Sequence, residues 1–297
     1  MNKIKLSICI PAYNAESWIL ETLNSALPLK RADIEIVVSN NHSTDSTLEI
    51  VKQFKRSHDQ IVKVVEPSEH LSMAANWNFA INSTSGEYVA LVSADDLISS
   101  EMCERAIAEL DQELDVDVVT FEHDKLIHRR NDKIIQVRRI AAKLHKNITV
   151  NTKLILNYNP FSINFSFIRL NSIKLNQIKV DGNIFTRNLL TTDYDFWIKL
   201  TLAGARIKYI PDLKGLYRIH ECNLSNGKEK MLIQTFLVLA KHREELMVCC
   251  KASYRFVMSR LLFRSVIRVK GNSKKLIRLM KALLLNILMR KTESPLR

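Results

Sequence analysis

The adjacent carboxylates Asp95 and Asp96 are the residues of this chain best suited to chemistry. They follow an apolar run, residues 88–92, that predicts a buried strand. Two neighbouring carboxylates repel each other unless a positive charge lies beside them. A divalent cation such as Mg²⁺ or Mn²⁺ would fill that place and hold a diphosphate, because hard cations take carboxylate and phosphate oxygens. The alternative is that Asp95 caps the next helix while Asp96 is solvated.

The elements predicted around this pair follow an α/β pattern. Over the first 125 residues, short apolar runs alternate with helical patterns, which is typical of βαβ units. We therefore expect an open, doubly wound, mostly parallel sheet. The predicted strands are residues 5–10, 35–39, 61–65, 88–92 and 117–121, and the predicted helices are residues 15–27, 46–55, 71–82 and 99–113.

Three polar loops follow predicted strands, at residues 11–14, 40–45 and 93–96. Doubly wound sheets bind ligands at the carboxyl ends of their strands, close to the point where strand order reverses. We expect the three loops to face one pocket.

A series of short motifs, collinear over residues 4–225, resembles the inverting family 2 glycosyltransferases with the A-type nucleotide-sugar-binding fold. The motifs are residues 6–14 (LSICIPAYN), 21–25 (ETLNS), 35–47 (EIVVSNNHSTDST), 76–81 (NWNFAI), 86–88 (GEY), 93–97 (SADDL), 192–197 (TDYDFW) and 217–220 (YRIH). The resemblance implies a metal-dependent hexosyl- or deoxyhexosyltransferase. Such an enzyme moves a sugar from a nucleotide-diphosphate donor to a glycan acceptor. We expect that acceptor to be lipid-linked, in the synthesis of a surface polysaccharide such as O-antigen or capsule.

The resemblance also implies roles at the matching positions. Pro11 and Tyr13 would line the nucleobase, with the tyrosine ring stacked on it. Asp95 would contact the ribose and diphosphate, and the metal would be held by Asp96, Asp95 and His220, with Asp96 the stronger metal candidate. The alternatives are a Tyr13 that closes the sheet edge and a His220 that is hydrogen-bonded in a surface turn.

Asn40 and Asn41 stand where the family often has Asp. A carboxylate only accepts hydrogen bonds, whereas an amide both donates and accepts, so these residues could meet cytosine as well as uracil or thymine. The donor base therefore stays open. Arg218 matches a position near the donor diphosphate, where its planar guanidinium suits phosphate.

Asp193 falls at the family's catalytic-base position. The resemblance implies that it takes the proton from the acceptor hydroxyl while that oxygen attacks the anomeric carbon, which gives inversion. General-base help of this kind contributes about 10²- to 10⁴-fold. Asp195 is the competing candidate, and either acid could instead only favour the N-terminus of a helix opened by Thr192.

The C-terminal residues carry the charge of the chain. Residues 228–297 hold 17 Lys and Arg against four acids, a net charge of +13 that equals that of the whole chain. Two helical patterns there, residues 251–270 and 274–291, combine an apolar stripe with basic flanks. Such helices suit an anionic membrane surface. The alternative is a helical pair packed on the catalytic domain. The aromatic residues form no stacking platform, so we expect no nucleic acid partner.

These patterns divide the chain into a catalytic domain, residues 1–227, and a basic helical extension, residues 228–297. Within the first, residues 1–125 would bind the nucleotide sugar and residues 126–227 the acceptor. No signal-peptide pattern opens the chain, and the longest uncharged apolar stretch near its end, residues 282–289, is shorter than the roughly 18 residues that span a bilayer. We expect a cytoplasmic protein, peripherally associated with the cytoplasmic face of the membrane.

Two other functions stay open at this point. One is a nucleotide-binding or scaffold protein that keeps the fold but has lost catalysis, which the Asn40-Asn41 pair would explain. The other is a nucleotidyltransferase, which usually needs a glycine-rich phosphate loop. The chain has only six glycines and no such loop, so this third function is disfavoured.

Overall fold

The structure, a computed structural model, describes residues 3–27, 31–129, 132–138, 148–157, 161–221, 223 and 227–268. The described residues within Met1–Asn151 and Pro160–Asn223 form one compact unit, and those within Thr152–Asn159 and Leu224–Arg297 form a second. Among these residues, no helix combines the length and the apolar character that crossing a membrane requires.

The first unit is an α/β unit built on one sheet. Its strands are β1 (Leu6–Ala12), β2 (Ile34–Asn40), β3 (Val62–Val65), β4 (Tyr88–Leu91), β5 (Val118–Arg129), β6 (Asp132–Arg138), β7 (Ser166–Arg169) and β8 (Ile207–Ile219). Its helices are α1 (Ile19–Ala26), α2 (Thr47–Ser57), α3 (Met73–Asn82), α4 (Ser100–Gln112), α6 (Ile173–Ile178) and α7 (Thr192–Leu202). The strands and helices expected up to residue 121 are confirmed, with their ends moved by a few residues.

The strand order in the sheet is β3-β2-β1-β4-β7-β5-β6, and β8 pairs with β5. Strands β1 to β4 are parallel, whereas β7 runs antiparallel between β4 and β5. The carboxyl ends of β1, β2 and β4 therefore lie at one edge, and the three polar loops leave from it. The expected doubly wound, mostly parallel sheet is confirmed.

The core explains why the first strands were visible in the sequence. Strand β1 is buried along nearly its whole length, as is β4, because helices cover both faces of the sheet. Parallel strands in this position are continuous apolar runs rather than alternating ones. Buried residues of α1 and α4, such as Leu23 and Leu110, join the same core as Leu6 and Ile8 of β1.

The second unit is helical. It contains α5 (Thr152–Asn157), α8 (Lys228–Lys241), α9 (Arg243–Cys249) and α10 (Lys251–Arg268). Helix α10 packs on α5, α8 and α9, and Tyr254 and Met258 are buried on it. The first basic helical pattern, residues 251–270, falls largely on α10, and the second, residues 274–291, lies outside the described residues.

Candidate active site

Asp96 is the buried member of the acidic pair that follows β4. It is 1% exposed. Its Oδ1 accepts a hydrogen bond from the Arg218 backbone N–H (2.8 Å), and its Oδ2 accepts one from the Asn164 side-chain amide (2.5 Å). Burial raises the pKa of Asp96 well above its usual range, and the negative charge of Asp95 adds to the effect. Both carboxylate oxygens are thus engaged within the protein.

Asp95 is the accessible member, with 23% of its side chain exposed. Its Oδ2 accepts hydrogen bonds from His220 Nε2 (2.9 Å) and from the Asn223 side-chain amide (3.4 Å). No described residue donates to its Oδ1. We expected Asp96 to be the stronger metal candidate. In the structure Asp96 is buried, and Asp95 is the member of the pair whose side chain is partly exposed.

Arg218 holds the acidic loop in place. Strand β8 reaches this loop through a short bridge in which Leu97 and Leu216 exchange backbone hydrogen bonds of 3.0 and 2.9 Å. The Arg218 side chain is 0% exposed, and its Nε donates to the backbone carbonyl of Asp95 (2.7 Å). Its Nη2 pairs with Glu21 (2.5 Å). We expected this guanidinium at the donor diphosphate. In the structure it is buried and holds the loop that carries Asp95.

His220 follows β8 and completes the accessible side of the cluster. Its ring stacks on Trp18, with ring centroids 5.2 Å apart and planes at 22°. Its backbone N–H donates to the side-chain oxygen of Asn223 (2.6 Å), which fixes the turn. The ring therefore has a defined orientation beside Asp95.

The donor set at this point is a carboxylate and an imidazole. Among the described residues, no group of three or more His, Cys, Asp or Glu is arranged to hold a metal ion. Mg²⁺ is commonly held by one or two carboxylates plus substrate phosphates, and a neutral histidine can also ligate a metal. Asp95 and His220 therefore fit a metal that takes its other ligands from a diphosphate and water.

Tyr13 lies at the same edge of the sheet, after β1. The residue is 51% exposed, and its ring tilts against the ring of His70 at a centroid distance of 4.7 Å. Pro11, within β1, is half-buried. The loops after β1 and β2 hold each other, since the side-chain oxygen of Asn14 accepts a hydrogen bond from the Thr44 backbone N–H (2.8 Å). The Tyr13 ring is thus exposed on an ordered loop and available for stacking.

The side chains of Asn40 and Asn41 face the protein. Asn41 donates to the Leu71 carbonyl (2.9 Å) and accepts from the Leu71 N–H (2.8 Å), so both ends of its amide bond to Leu71. Asn40 donates to the Glu66 carboxylate (3.1 Å). Both residues are buried. We expected these amides to contact the nucleobase. In the structure these amides bond to Leu71 and Glu66 and hold the loop after β2.

Two acids lie in the first turn of α7. Asp195 is buried, and its Oδ2 accepts a hydrogen bond from the Thr186 hydroxyl (2.6 Å) and pairs with Lys199 (3.2 Å). Asp193 is partly exposed, and no side chain among the described residues bonds to its carboxylate. Burial raises its pKa from the ordinary aspartate value. Of the two acids, Asp193 is therefore the one whose carboxylate is not bonded to a described side chain.

The structure brings Asp95, Asp96, Arg218 and His220 into direct contact, while Asp193 shares no hydrogen bond with that cluster. It also adds residues with no predicted role, namely Trp18, Glu21, Asn164 and Asn223. Asn223 could have been identified from the sequence, because it follows His220 by three residues in a polar turn. Asn164 could not, since it lies in a 3-10 turn far away in the sequence, Ile163–Phe165.

The profile of the family described as Glycosyl transferase family 2 matches residues 7–169, more than half of the chain. This chain belongs to glycosyl transferase family 2. The matched residues include strands β1 to β7 and the Asp95-Asp96 loop, so the expected family is confirmed.

Characterised and uncharacterised relatives share parts of this glycosyltransferase. An uncharacterized glycosyltransferase of Haemophilus influenzae is 26% identical over 219 residues, which cover 72% of this chain and 65% of that protein. A second from the same organism is 26% identical over 263 residues, 87% of this chain and 96% of that protein. The poly(ribitol-phosphate) beta-glucosyltransferase of Bacillus spizizenii is 37% identical over 100 residues, 33% of this chain and 16% of that protein. The chain thus spans less than two thirds of the first and the third.

Solved structures share the fold. TarS 1-349 of Staphylococcus aureus in complex with UDP-GlcNAc superposes with a TM-score of 0.66 at 22% identity, covering 96% of this chain and 80% of that one. The mannosyltransferase PcManGT of Pyrobaculum calidifontis in complex with GDP-Man and Mn²⁺ gives 0.60 at 17% identity, with 96% and 81% covered. The expected A-type fold is confirmed.

Proposed function

We propose that this glycosyltransferase transfers a hexosyl or deoxyhexosyl group from a nucleotide-diphosphate donor to a hydroxyl of a glycan acceptor, with inversion at the anomeric carbon. The observation that carries the proposal is the accessible Asp95, held against His220 at the carboxyl edge of the sheet. Ligands bind at this edge in doubly wound sheets. An open carboxylate oxygen at that place suits the charge of a metal-bound diphosphate.

Asp95 and His220 would hold a Mg²⁺ or Mn²⁺ ion. When bound, such an ion neutralises negative charge on the departing diphosphate. Arg218 would act indirectly. Its hydrogen bond to the Asp95 carbonyl fixes the loop, and its side chain would not contact the ligand. A fixed carboxylate needs no rearrangement when charge develops on the leaving group, which favours the reaction.

Asp193 would be the general base. Its carboxylate has no side-chain partner among the described residues, and burial raises its pKa, so it binds a proton more strongly than an ordinary aspartate does. A base with a pKa closer to the working pH accepts a proton more readily in the transition state. Asp193 would take the proton of the acceptor hydroxyl while that oxygen attacks the anomeric carbon from the face opposite the diphosphate.

Tyr13 and Pro11 would line the nucleobase. The exposed Tyr13 ring offers a face on which any base stacks, which is tolerant of base identity. The structural neighbours carry UDP-GlcNAc in one case and GDP-Man in another. These two different nucleobases fit a stacking contact, because stacking needs only the flat face of a base and does not depend on which base it is.

We place the acceptor at the membrane, as a lipid-linked glycan of cell-surface polysaccharide synthesis. The relative that acts on poly(ribitol-phosphate) supports a polymeric surface acceptor. Helix α10 exposes Lys251, Arg255 and Arg260 together with Phe256, which is 60% exposed. A basic surface with an apolar residue suits an anionic leaflet. The protein would act in the cytoplasm, on the inner face of the membrane.

Donor hydrolysis tests the enzymatic proposal. The full chain would be incubated with UDP-, dTDP-, GDP- and CDP-sugars and either Mg²⁺ or Mn²⁺, with EDTA as the control. We expect one class of donor to be hydrolysed only when metal is present. Binding of a nucleotide without turnover of any donor would favour the scaffold alternative, and a protein that binds none would contradict both.

Vesicle flotation tests the membrane proposal separately. Wild type should float with phosphatidylglycerol-containing vesicles, and the double variant Arg255→Ser, Phe256→Ser should float markedly less. Leu237→Ser is the control for loss of an exposed apolar side chain, because Leu237 is exposed on α8 and lies outside α10. Equal flotation of all three proteins would remove the membrane role from α10.

A further inference from the structure

The connection that leads into α7 is held by a side chain of α3. Residues 179–191 between α6 and α7 contain no helix or strand beyond a bridge between Val180 and Asn183. Within this connection, Phe185 is gripped at both of its backbone polar groups. The Asn78 amide donates to the Phe185 carbonyl (2.8 Å), and its oxygen accepts from the Phe185 N–H (2.9 Å). Both residues are buried.

The gripped segment is in turn bonded to α7. The Thr192 hydroxyl donates to the Thr186 carbonyl (3.1 Å), and the Thr186 hydroxyl donates to Asp195 (2.6 Å). Lys199 donates to the Ile184 carbonyl (3.1 Å). These three bonds surround Asp193 in sequence and join residues 184–186 to the first two turns of the helix. A shift of this segment would therefore shift the start of α7.

Helix α3 is fixed to the edge of the sheet from which the loops after β1, β2 and β4 leave. The Ser39 hydroxyl of β2 donates to Asn76 (2.6 Å), and Asn41 grips Leu71 just before the helix begins. The ring of Trp77 on the same helix meets the ring of Phe185 edge-on at 5.2 Å. Asn78 thus connects α3, which is anchored at the sheet edge proposed to bind the donor, to the segment that leads into α7 and the proposed base Asp193.

We propose that Asn78 is a positioning residue for the reaction, which sets the place of the Asp193 carboxylate relative to the bound donor. This inference rests on the proposed function of Asp193. Asn78 itself touches neither substrate, because it is buried and both ends of its amide are used by Phe185. A misplacement of about 1 Å at a reacting group can lower a rate by about 10²-fold, so a loosened grip would act on turnover.

The test is a double-mutant cycle on donor hydrolysis in the full chain. We expect Asn78→Ala to lower kcat by about 10- to 100-fold, while the Kd for UDP or GDP with Mn²⁺, measured by calorimetry, stays within about twofold of wild type. In an Asp193→Asn background, Asn78→Ala should lower kcat no further, since residues that act through one another are not additive. Additive losses would show a purely structural role and overturn the inference.

Two further variants keep the test decisive. Tyr88→Phe is the control for lost stability, because Tyr88 donates a hydrogen bond to Asp111 (2.6 Å) at the opposite end of β4; its kcat should equal that of wild type. If Asn78→Ala does not fold, Thr186→Val removes the next link of the same chain at nearly constant shape. The same fall in kcat at constant Kd supports the inference, and an unchanged kcat overturns it.

The outcome also separates this inference from the proposed function. A wild-type protein that neither binds a nucleotide nor hydrolyses a donor overturns the proposed function. An active wild type with an equally active Asn78→Ala variant overturns the positioning role alone.

Discussion

The acidic pair after β4 and the acidic pair on α7 are divided in the same way. In each, one carboxylate is buried and hydrogen-bonded by the protein, Asp96 in the first and Asp195 in the second. The other stays accessible. The two partly exposed acids differ in their surroundings. Asp95 lies against His220, whereas Asp193 has no charged partner among the described residues and its partial burial raises its pKa. One environment suits a bound cation and the other suits a proton.

This comparison shows that residue type alone does not assign a role. Neighbouring groups set whether a carboxylate is held as an anion beside a positive charge or made ready to accept a proton. Four predictions follow from the difference between the two pairs, and each would be measured on the full chain.

Replacing the accessible acid of α7 should have the largest effect. Asp193→Asn keeps the shape but cannot accept a proton, so kcat for donor turnover should fall about 10²- to 10⁴-fold. Nucleotide binding, measured by calorimetry with Mn²⁺, should be unchanged. Turnover equal to that of wild type would show that Asp193 is not the base and would end the comparison.

Replacing the buried acid of the same pair should lower stability, in addition to the fall in kcat expected when its bond to Thr186 is lost. Asp195→Ala leaves Lys199 and the Thr186 hydroxyl without their shared partner. Breaking a buried ion pair by removing one member costs about 3–5 kcal/mol in the free energy of unfolding. Urea denaturation would measure this against Asp193→Ala, which removes no side-chain partner. An equal loss in both variants would show that the two acids are not divided as described.

The pair after β4 should separate in nucleotide binding. Asp95→Asn removes the charge of the accessible carboxylate, and metal-dependent binding of UDP or GDP should weaken by about tenfold or more. Asp96→Asn leaves the Asp95–His220 pair in place, so the folded fraction of that variant should bind with nearly the wild-type Kd. Weaker binding in Asp96→Asn than in Asp95→Asn would return the metal role to Asp96.

The raised pKa of Asp193 predicts the smallest effect, on pH dependence. Donor turnover should be lost as pH falls through the raised pKa of this group, because the base is then protonated. The effect of pH on the stability of the protein has the opposite direction, since the contribution of Asp193 to stability falls as pH rises. A carboxyl group with a raised pKa in the folded state stabilises that state below its unfolded pKa, and this contribution is lost as pH rises through the folded pKa.

Asp193→Asn does not ionise and escapes that loss. Its melting temperature should therefore exceed that of wild type at pH 7, and the difference should narrow toward pH 3. A difference that widens with acid would contradict the direction of the pKa change.

The first half of the fold could be predicted from the sequence because its central strands, β1 and β4, are buried along nearly their whole length and are mostly apolar. The rest follows another rule. Strand β5 continues past Phe121 into Glu122, His123 and Asp124, where no hydrophobic pattern exists. Glu122 and Asp124 are buried with polar partners, since the Tyr209 hydroxyl donates to Glu122 (2.9 Å) and Lys214 donates to Asp124 (3.1 Å). Such partners lie too far along the chain for a local pattern to show.

The sequence motifs identified the polar residues at this edge of the sheet, but not the orientation of their side chains. The motif marks Asp95 and Asp96 equally as candidates. Which of them is buried depends on the Arg218 backbone N–H, which donates a hydrogen bond to Asp96. The same holds for Asn40 and Asn41, whose partners stand 26 and 30 residues away. Sequence patterns identify polar residues at a strand end, whereas distant backbone groups decide where each side chain points.

The bridge between β8 and the acidic loop has a consequence for biosynthesis. Asp95 and His220 are 125 residues apart in sequence. At about 5–20 residues per second, a ribosome takes roughly 6–25 s to add that length. During this interval the nascent chain carries both acids without the guanidinium, the backbone amide and the imidazole that later surround them. Metal-dependent nucleotide binding would therefore report on the completion of the first unit, since an emerging chain acquires it only after β8 has joined the sheet.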